Sequence, residues 1–223
     1  MSFKKKKYTI IKEAISKELA LFLYNYILIK RQVAETMFKH QYISPIELSW
    51  GHWTDNQVPN TYSHYADVAM ETLLLRLNPL MEKATGLKLY PNYSFCRIYK
   101  KGDILKRHKD RFSCEISTTM NLGGNKWAIY LSPYENVGFA EEWGGKKGIT
   151  ASSNAKGIKV DLEPGDMLIY KGEELEHWRE PFKGKECAQV FFHYNNKKTK
   201  DAKLNMFDKK PHIGLPFWFR GRK

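Results

Sequence analysis

The chain has 223 residues, of which 42% are apolar and 14% aromatic, and it carries a net charge of +13. This composition excludes a disordered protein and is sufficient for one domain with a single sizeable core. No stretch approaches the twenty uninterrupted apolar residues of a membrane-spanning helix, so we predict no membrane span.

Most of the positive charge lies at the two ends of the chain. Lys4–Lys7 supply four charges and residues 197–223 a net seven, which leaves two for the body between them. A groove that binds a nucleic-acid backbone should show its positive excess within the folded body. We therefore predict that the basic ends serve solubility or loose attraction to polyanions, and nucleic acid is not the favoured partner.

The three cysteines, Cys96, Cys114 and Cys187, lack the paired spacing of a metal site, and each lies in an apolar run. Buried, reduced thiols are typical of a cytoplasmic protein, which is the location that we predict.

Two helices are predicted in the first part of the chain. Ser16 is a suitable N-cap for a helix that continues to about Val33. A second helical period begins at Ser63, with a kink or restart at Pro79, and stops at Gly86. We expect both helices, within residues 10–86, to support a sheet.

From Lys88 onward the sequence changes to short extended runs separated by Gly, Pro and Asn. The candidate strands are Tyr93–Tyr99, Ile104–His108, Glu115–Leu122, Lys126–Leu131, Lys159–Leu162, Met167–Tyr170 and Cys187–Tyr194. Two packed antiparallel sheets would close this set into a jelly-roll over residues 88–196, which makes the predicted fold class α+β. The segment Pro133–Gly157 is either a mobile loop over the mouth of the jelly-roll or a plain surface excursion.

His108 and Asp110 are the most informative residues of the chain. Residues i and i+2 of an extended strand point to the same face, so both side chains can reach one metal ion. His177, from another strand, would complete two imidazoles and one carboxylate. This ligand set holds Fe(II) on one side and leaves positions open for a co-substrate and dioxygen.

Several spaced features accompany the triplet: Tyr99-x-x-Gly102 before it, the turn Pro164-Gly165-Asp166, Pro181 after His177, and Lys185. Together these residues resemble the Fe(II)/2-oxoglutarate-dependent oxygenases, and within them the prolyl 4-hydroxylase-like branch, over roughly Tyr93–Tyr194. The resemblance implies a double-stranded β-helix core within a single oxygenase domain, residues 1–223. It also implies catalytic iron held by His108, Asp110 and His177, with 2-oxoglutarate and dioxygen as co-substrates and ascorbate as an optional reductant.

The resemblance further implies a basic residue, at the start of the last core strand, that pairs with the distal carboxylate of 2-oxoglutarate. A desolvated carboxylate needs such a buried cation. Lys185 is the predicted anchor, ahead of Lys183, which we assign to a turn. Tyr99 and Asn121 are further candidates for contact with the same carboxylate.

Two arginines lie beside the predicted ligands: Arg111 follows Asp110, and Arg179 stands two residues beyond His177. Either could contact substrate or orient Asp110, and Glu115 could instead neutralise one of them. We predict that His193 makes a structural hydrogen bond.

The favoured function is hydroxylation of an unactivated C–H bond, with a prolyl residue of a peptide or protein as substrate. Hydroxylation of a free amino acid or small molecule is one alternative. A nucleic-acid demethylase is another, which the lack of arginine between Arg179 and Arg220 disfavours. A non-catalytic jelly-roll binding module is the least favoured.

The basic C-terminal extension, residues 197–223, includes the apolar run Pro211–Phe219, which we expect to pack back near the second helix. The oligomeric state is left open.

Overall fold

The computed structural model describes residues 3–44, 46–132, 134 and 154–222. The helices there are α1 (Phe3–Lys6), α2 (Lys17–Lys39) and α3 (Val68–Thr85). The strands there are β1 (Tyr8–Ile11), β2 (Tyr62–Tyr65), β3 (Leu89–Lys100), β4 (Leu105–His108), β5 (Ile116–Gly124), β6 (Ile129–Leu131), β7 (Ile158–Val160), β8 (Met167–Lys171), β9 (His177–Arg179) and β10 (Glu186–Asn196).

The strands form two antiparallel sheets. One has six strands in the order β1-β8-β5-β10-β3-β2, and the other has four in the order β4-β9-β6-β7. Apart from β2 with β3 and β6 with β7, neighbouring strands are not consecutive in the chain, which is the connectivity of a jelly-roll rather than of successive hairpins. The predicted α+β class with a double-stranded β-helix core is confirmed.

The two faces of the six-stranded sheet carry different side chains. On β5, Ile116, Met120 and Leu122 belong to the core cluster that the helices complete. Ser117 and Thr119 lie at the alternate positions and hydrogen-bond with polar groups on the other face. Because neighbouring residues of a strand point to opposite faces, β5 is apolar toward the helices and polar toward the barrel interior. On β8 the interior side is apolar, since Leu168 and Tyr170 pack with residues of β6 and β7.

Helices α2 and α3 cover the apolar face of the six-stranded sheet. Ser16 caps α2 as predicted, because its hydroxyl accepts a hydrogen bond from the Leu19 amide at 3.2 Å. Gly86, with φ of 72°, ends α3, also as predicted. The predicted start of this helix at Ser63 was wrong: Ser63 lies in β2, and Asp67 is the N-cap. The helix continues through Pro79.

Strands β1 and β2 were not predicted, β9 was expected at His177 but given no bounds, and the predicted strand that begins at Lys126 begins only at Ile129. These strands have three or four residues, too few for an alternation of apolar and polar side chains to stand out.

The C-terminal extension packs against the body near α3, as expected. The backbone amide of Gly214 donates to the Glu71 carboxylate on α3, and Lys210 Nζ lies 3.9 Å from the same carboxylate. Both charged side chains are fully buried. The three cysteines are free and buried, in agreement with the prediction. Among the described residues, no helix has both the length and the apolar character needed to cross a membrane.

Candidate metal centre

The structure brings the three predicted ligands together at one end of the barrel. His108 ends β4, His177 begins β9, and these two residues are paired in the register of the four-stranded sheet. One ligand atom from each histidine and one from Asp110 all lie within 4.8 Å of one another. Asp110 Oδ1 is 3.5 Å from His177 Nε2 and 3.9 Å from His108 Nε2. A metal ion between these atoms would draw them closer, to ordinary ligand distances.

Backbone carbonyls orient both imidazoles. Nδ1 of His108 lies 2.8 Å from the Lys106 carbonyl, and Nδ1 of His177 lies 3.0 Å from the Leu175 carbonyl. A carbonyl only accepts, so Nδ1 carries the proton and Nε2 offers its lone pair toward Asp110. This is the tautomer that a metal ligand requires, and such outer partners fix the ring of a ligating histidine.

The protonation states also suit a metal. Burial, together with the facing His177, lowers the pKa of His108 to about 4. Burial alone would raise the pKa of Asp110, but the neighbouring His177 and other imidazoles lower it overall. His108 is therefore neutral and Asp110 ionised near neutral pH, which are the forms that bind a cation.

The second oxygen of Asp110 is held from behind. Ser117 Oγ donates to Asp110 Oδ2 at 2.5 Å, and His193 Nδ1 lies 3.0 Å from the same hydroxyl. His193 thus makes the structural hydrogen bond that was predicted. Gly172 completes the support: its carbonyl accepts from the Asp110 amide at 2.9 Å, and a Cβ at this position would collide with the Asp110 carboxylate.

Arg179 lies inside the barrel, on the same face of β9 as His177. Only 1% of its surface is exposed. Its guanidinium donates to Thr119 Oγ1 at 3.1 Å and to the Trp127 carbonyl, while Nε has no hydrogen-bond partner among the described residues. Within the described part of the chain no carboxylate pairs with it, and burial lowers its pKa. A buried cation without a counterion is costly, so this position is suited to an anionic ligand.

Lys185 does not lie in the barrel, contrary to the expectation that its ammonium is aimed inward. It is exposed and precedes β10, and its backbone amide donates to Asn125 at 2.8 Å. By the alternation of the strand Lys185 would point inward, but it lies beyond the end of the sheet. Cys187, two residues later, is buried. Lys183 is exposed as well.

The other two co-substrate candidates differ in their surroundings. Tyr99 is fully buried in the interior, where its hydroxyl accepts from Arg97 Nη1 at 3.3 Å and its ring packs on Trp127. Asn121 uses its amide on the backbone: Nδ2 donates to the Leu162 carbonyl, and Oδ1 accepts from the Gly123 amide. Tyr99 is therefore placed to reach a ligand near Arg179, whereas Asn121 has its amide already engaged.

Three side chains beside the triad were not predicted. Gln57 Nε2 lies 3.1 Å from His108 Nε2, and its carbonyl oxygen accepts from Arg97 Nη1 at 3.1 Å. Arg97, 2% exposed, forms a salt bridge with Asp55 at 2.6 Å. The sequence could have indicated Arg97, because it lies two residues before Tyr99 on the same strand and therefore points to the same face. Gln57 and Asp55 lie in an irregular stretch that carries no such signal.

Arg111 is paired with the C-terminal extension. Its Nη2 lies 2.9 Å from Asp208 Oδ1. Glu115, the counterion considered for either arginine, instead accepts hydrogen bonds from the Asn196 amide and the Thr199 hydroxyl.

The fold is similar to those of several solved oxygenases. A prolyl 4-hydroxylase from Pseudomonas putida has a TM-score of 0.57 at 15% identity, over 87% of this chain and 95% of that one. A Trichoplax adhaerens prolyl hydroxylase in complex with a hypoxia inducible factor peptide has a TM-score of 0.52 at 13% identity, over 88% and 86%. HygX from Streptomyces hygroscopicus, with nickel, 2-oxoglutarate and hygromycin B bound, has a TM-score of 0.56 at 13% identity, over 90% and 91%.

No family model and no curated protein matches the sequence. The structural likeness shows the fold, which is that of the 2-oxoglutarate/Fe(II) oxygenases. The resemblance predicted from the motifs is confirmed at this level.

Proposed function

We propose that the protein is a 2-oxoglutarate- and Fe(II)-dependent dioxygenase whose iron is held by His108, Asp110 and His177. One observation carries the proposal: two imidazoles and an ionised carboxylate converge within 4.8 Å in a barrel that also buries an arginine with no carboxylate partner among the described residues. A structural ion-pair cluster would not need a cation left without a counterion.

The donor set fits Fe(II). Two histidine nitrogens and one carboxylate oxygen on one side of an ion are the ligands of non-haem Fe(II) oxygenases, which keep the remaining positions open. Bound there, iron and 2-oxoglutarate would supply the oxidative decarboxylation that couples dioxygen to hydroxylation of a C–H bond. The chain's own part is to fix the two imidazole tautomers and to hold Asp110 through Ser117.

Arg179 is the residue that we assign to the distal carboxylate of 2-oxoglutarate, in place of Lys185. A planar guanidinium matches a carboxylate with two parallel hydrogen bonds, and such charge-assisted bonds are the strong ones. The Nε of Arg179, which has no hydrogen-bond partner in the described part of the chain, is available to donate. Tyr99, 0% exposed, lies near enough to Arg179 to influence the pKa of its guanidinium and is a second donor for the same carboxylate.

The substrate that we propose is a prolyl residue in a peptide or protein. The likeness to two prolyl hydroxylases, one of them in complex with a peptide, supports this assignment. A small-molecule substrate is the second candidate, since HygX is equally similar and its structure contains hygromycin B. Most of the predicted loop at Pro133–Gly157, which would distinguish a groove from a closed pocket, lies outside the described residues.

We also propose a cytoplasmic location. The support is the set of three thiols, all of them buried and none in a disulfide. Such thiols are typical of a reducing compartment.

The test is formation of succinate from 2-oxoglutarate with Fe(II), measured against proline-containing peptides, free amino acids, aminoglycosides and methylated oligonucleotides. We expect stimulation by a peptide that contains proline, with loss of turnover in His108→Ala. Stimulation by another class would keep the oxygenase and replace the substrate. No succinate from any mixture, basal or stimulated, would contradict the proposed function.

A further inference from the structure

We propose that Asp208, from the C-terminal extension, is a positioning residue for the metal ligand Asp110 and acts through Arg111. The inference rests on the proposed function, because it concerns how that metal site is held. It also assigns a role in the site to the C-terminal extension, residues 197–223.

The direct contact is a buried ion pair. Arg111 is the residue after Asp110, and its guanidinium meets Asp208 Oδ1 at 2.9 Å. Only 3% of Asp208 is exposed. Its other oxygen accepts from the Tyr65 hydroxyl at 2.6 Å and from Arg220. Three donors therefore hold the carboxylate in place, so it can fix Arg111 in turn.

A second path leads from Arg111 back to the same ligand. The Arg111 guanidinium lies over the Tyr93 ring at 4.8 Å, and the Tyr93 ring packs on His193 at 4.5 Å. His193 is hydrogen-bonded to Ser117, which donates to Asp110 Oδ2. Asp208 is thus connected to Asp110 by two routes that both begin at Arg111. One is the backbone between Arg111 and Asp110, and the other is the series of side-chain contacts that ends at Ser117.

The backbone at Asp208 adopts a conformation that non-glycine residues avoid. Phe207, Asp208 and Lys209 have φ values of 54°, 55° and 63°. Consecutive left-handed residues persist only where the surroundings hold them, and such conformations cluster at functional positions. Here the Gly221 amide donates to the Lys209 carbonyl at 2.9 Å, and the adjacent Lys210 is buried beside Glu71. The extension is held in the conformation that directs Asp208 at Arg111.

This contact matters because Asp110 has two oxygens with different tasks. Oδ1 lies 3.5 Å from His177 Nε2, while Oδ2 accepts from Ser117. On one side the Asp110 amide donates to the Gly172 carbonyl at 2.9 Å. On the other side the chain continues into Arg111, and among the described residues Asp208 is the carboxylate that pairs with its guanidinium. Loss of that restraint would let the carboxylate turn away from the histidines.

The experiment is an anaerobic titration of the full chain with Co(II), followed by the visible ligand-field spectrum at saturation. Asp208→Asn is compared with Asp201→Asn, which removes the same charge from an exposed position of the extension. We expect Asp208→Asn to weaken Co(II) binding by about 3- to 10-fold and to change the spectrum. Asp201→Asn should match the wild-type protein in both.

A double-mutant cycle with Arg111→Gln identifies the path. If Asp208 acts through Arg111, the Co(II) affinity of the double variant is no lower than that of the single variant with the lower affinity. Additive losses would overturn the proposed path, and wild-type binding with an unchanged spectrum in Asp208→Asn would overturn the proposal outright. Failure of the wild-type protein to bind Co(II) would instead refute the proposed function and, with it, this inference.

If Asp208→Asn does not fold, Tyr65→Phe takes its place, since it removes one hydrogen bond to Asp208 and leaves the ion pair. We expect a smaller change of the spectrum in the same direction. A folded Tyr65→Phe protein with the wild-type affinity and spectrum would then overturn the proposal.

Discussion

At the residue scale, the sequence predicts the three candidate metal ligands but not the cation that we assign to the distal carboxylate of 2-oxoglutarate. The residue types and the alternation of side chains along a strand predict His108, Asp110 and His177, because residue type and alternation can both be taken from the local sequence. The same alternation assigns Lys185 to the inward face. Alternation does not show where the barrel ends: Lys185 is exposed beyond the end of the barrel, whereas Arg179 is buried inside it. The anchor depends on the tertiary structure.

We expect Arg179→Gln to weaken binding of 2-oxoglutarate to the metal-loaded protein by more than about 30-fold. The reason is the loss of hydrogen bonds to a charged group, each of which contributes about 1.5–3 kcal/mol. The measurement is calorimetric titration under anaerobic conditions with Mn(II) bound. The matched control is Lys185→Gln, which removes an exposed cation and should bind 2-oxoglutarate like the wild-type protein. A large loss in Lys185→Gln with none in Arg179→Gln would return the anchor to the position first predicted.

At the scale of elements, the turn between β8 and β9 supports Asp110 of the candidate metal site through Gly172. The same turn carries two adjacent carboxyl groups whose pKa values shift in opposite directions. Burial, followed by Glu115 and Glu174, raises the pKa of Glu173 to about 7. Burial would raise the pKa of Glu174 too, but hydrogen bonds and charges from Lys171 and Lys7 lower it overall. Long helices with caps are predictable from sequence, whereas this turn and the three-residue β9 depend on their partners.

The signs of these shifts predict opposite effects of two neutral substitutions. A raised pKa in the folded state means that stability is present below the unfolded pKa and is lost as pH rises through about 7. Glu173→Gln should therefore raise the free energy of unfolding at pH 8, by about 1 kcal/mol after allowance for partial exposure, and change it little at pH 5. Denaturant unfolding with a chelator present measures this difference.

Glu174→Gln is the internal control in the same turn. A lowered pKa contributes stability above the unfolded value, and that stability is lost as pH falls. This variant should be less stable than the wild-type protein at pH 8, with the difference shrinking toward pH 4. Destabilisation of both variants at pH 8 would contradict the opposite shifts.

At the scale of the whole molecule, one sheet with two chemically different faces organises both fold and site. One face packs on α2 and α3, and the other lines the barrel with polar groups such as Ser117 and Thr119 on β5 and with apolar side chains on β8. The alternation of side chains made this jelly-roll predictable. The pairing of Arg111 with Asp208 was not, since the two residues stand 97 positions apart and only the folded chain brings them together.

The most direct test of the account is anaerobic calorimetry with Fe(II) followed by 2-oxoglutarate, on the wild-type protein and on His108→Ala. We expect one Fe(II) per wild-type chain and binding of 2-oxoglutarate that requires the metal, because in the proposed site the ion would hold one end of the co-substrate and Arg179 the other. His108→Ala should lose both. Equal binding of Fe(II) by the two proteins, or of 2-oxoglutarate with and without metal, would contradict a metal-dependent oxygenase site at these residues.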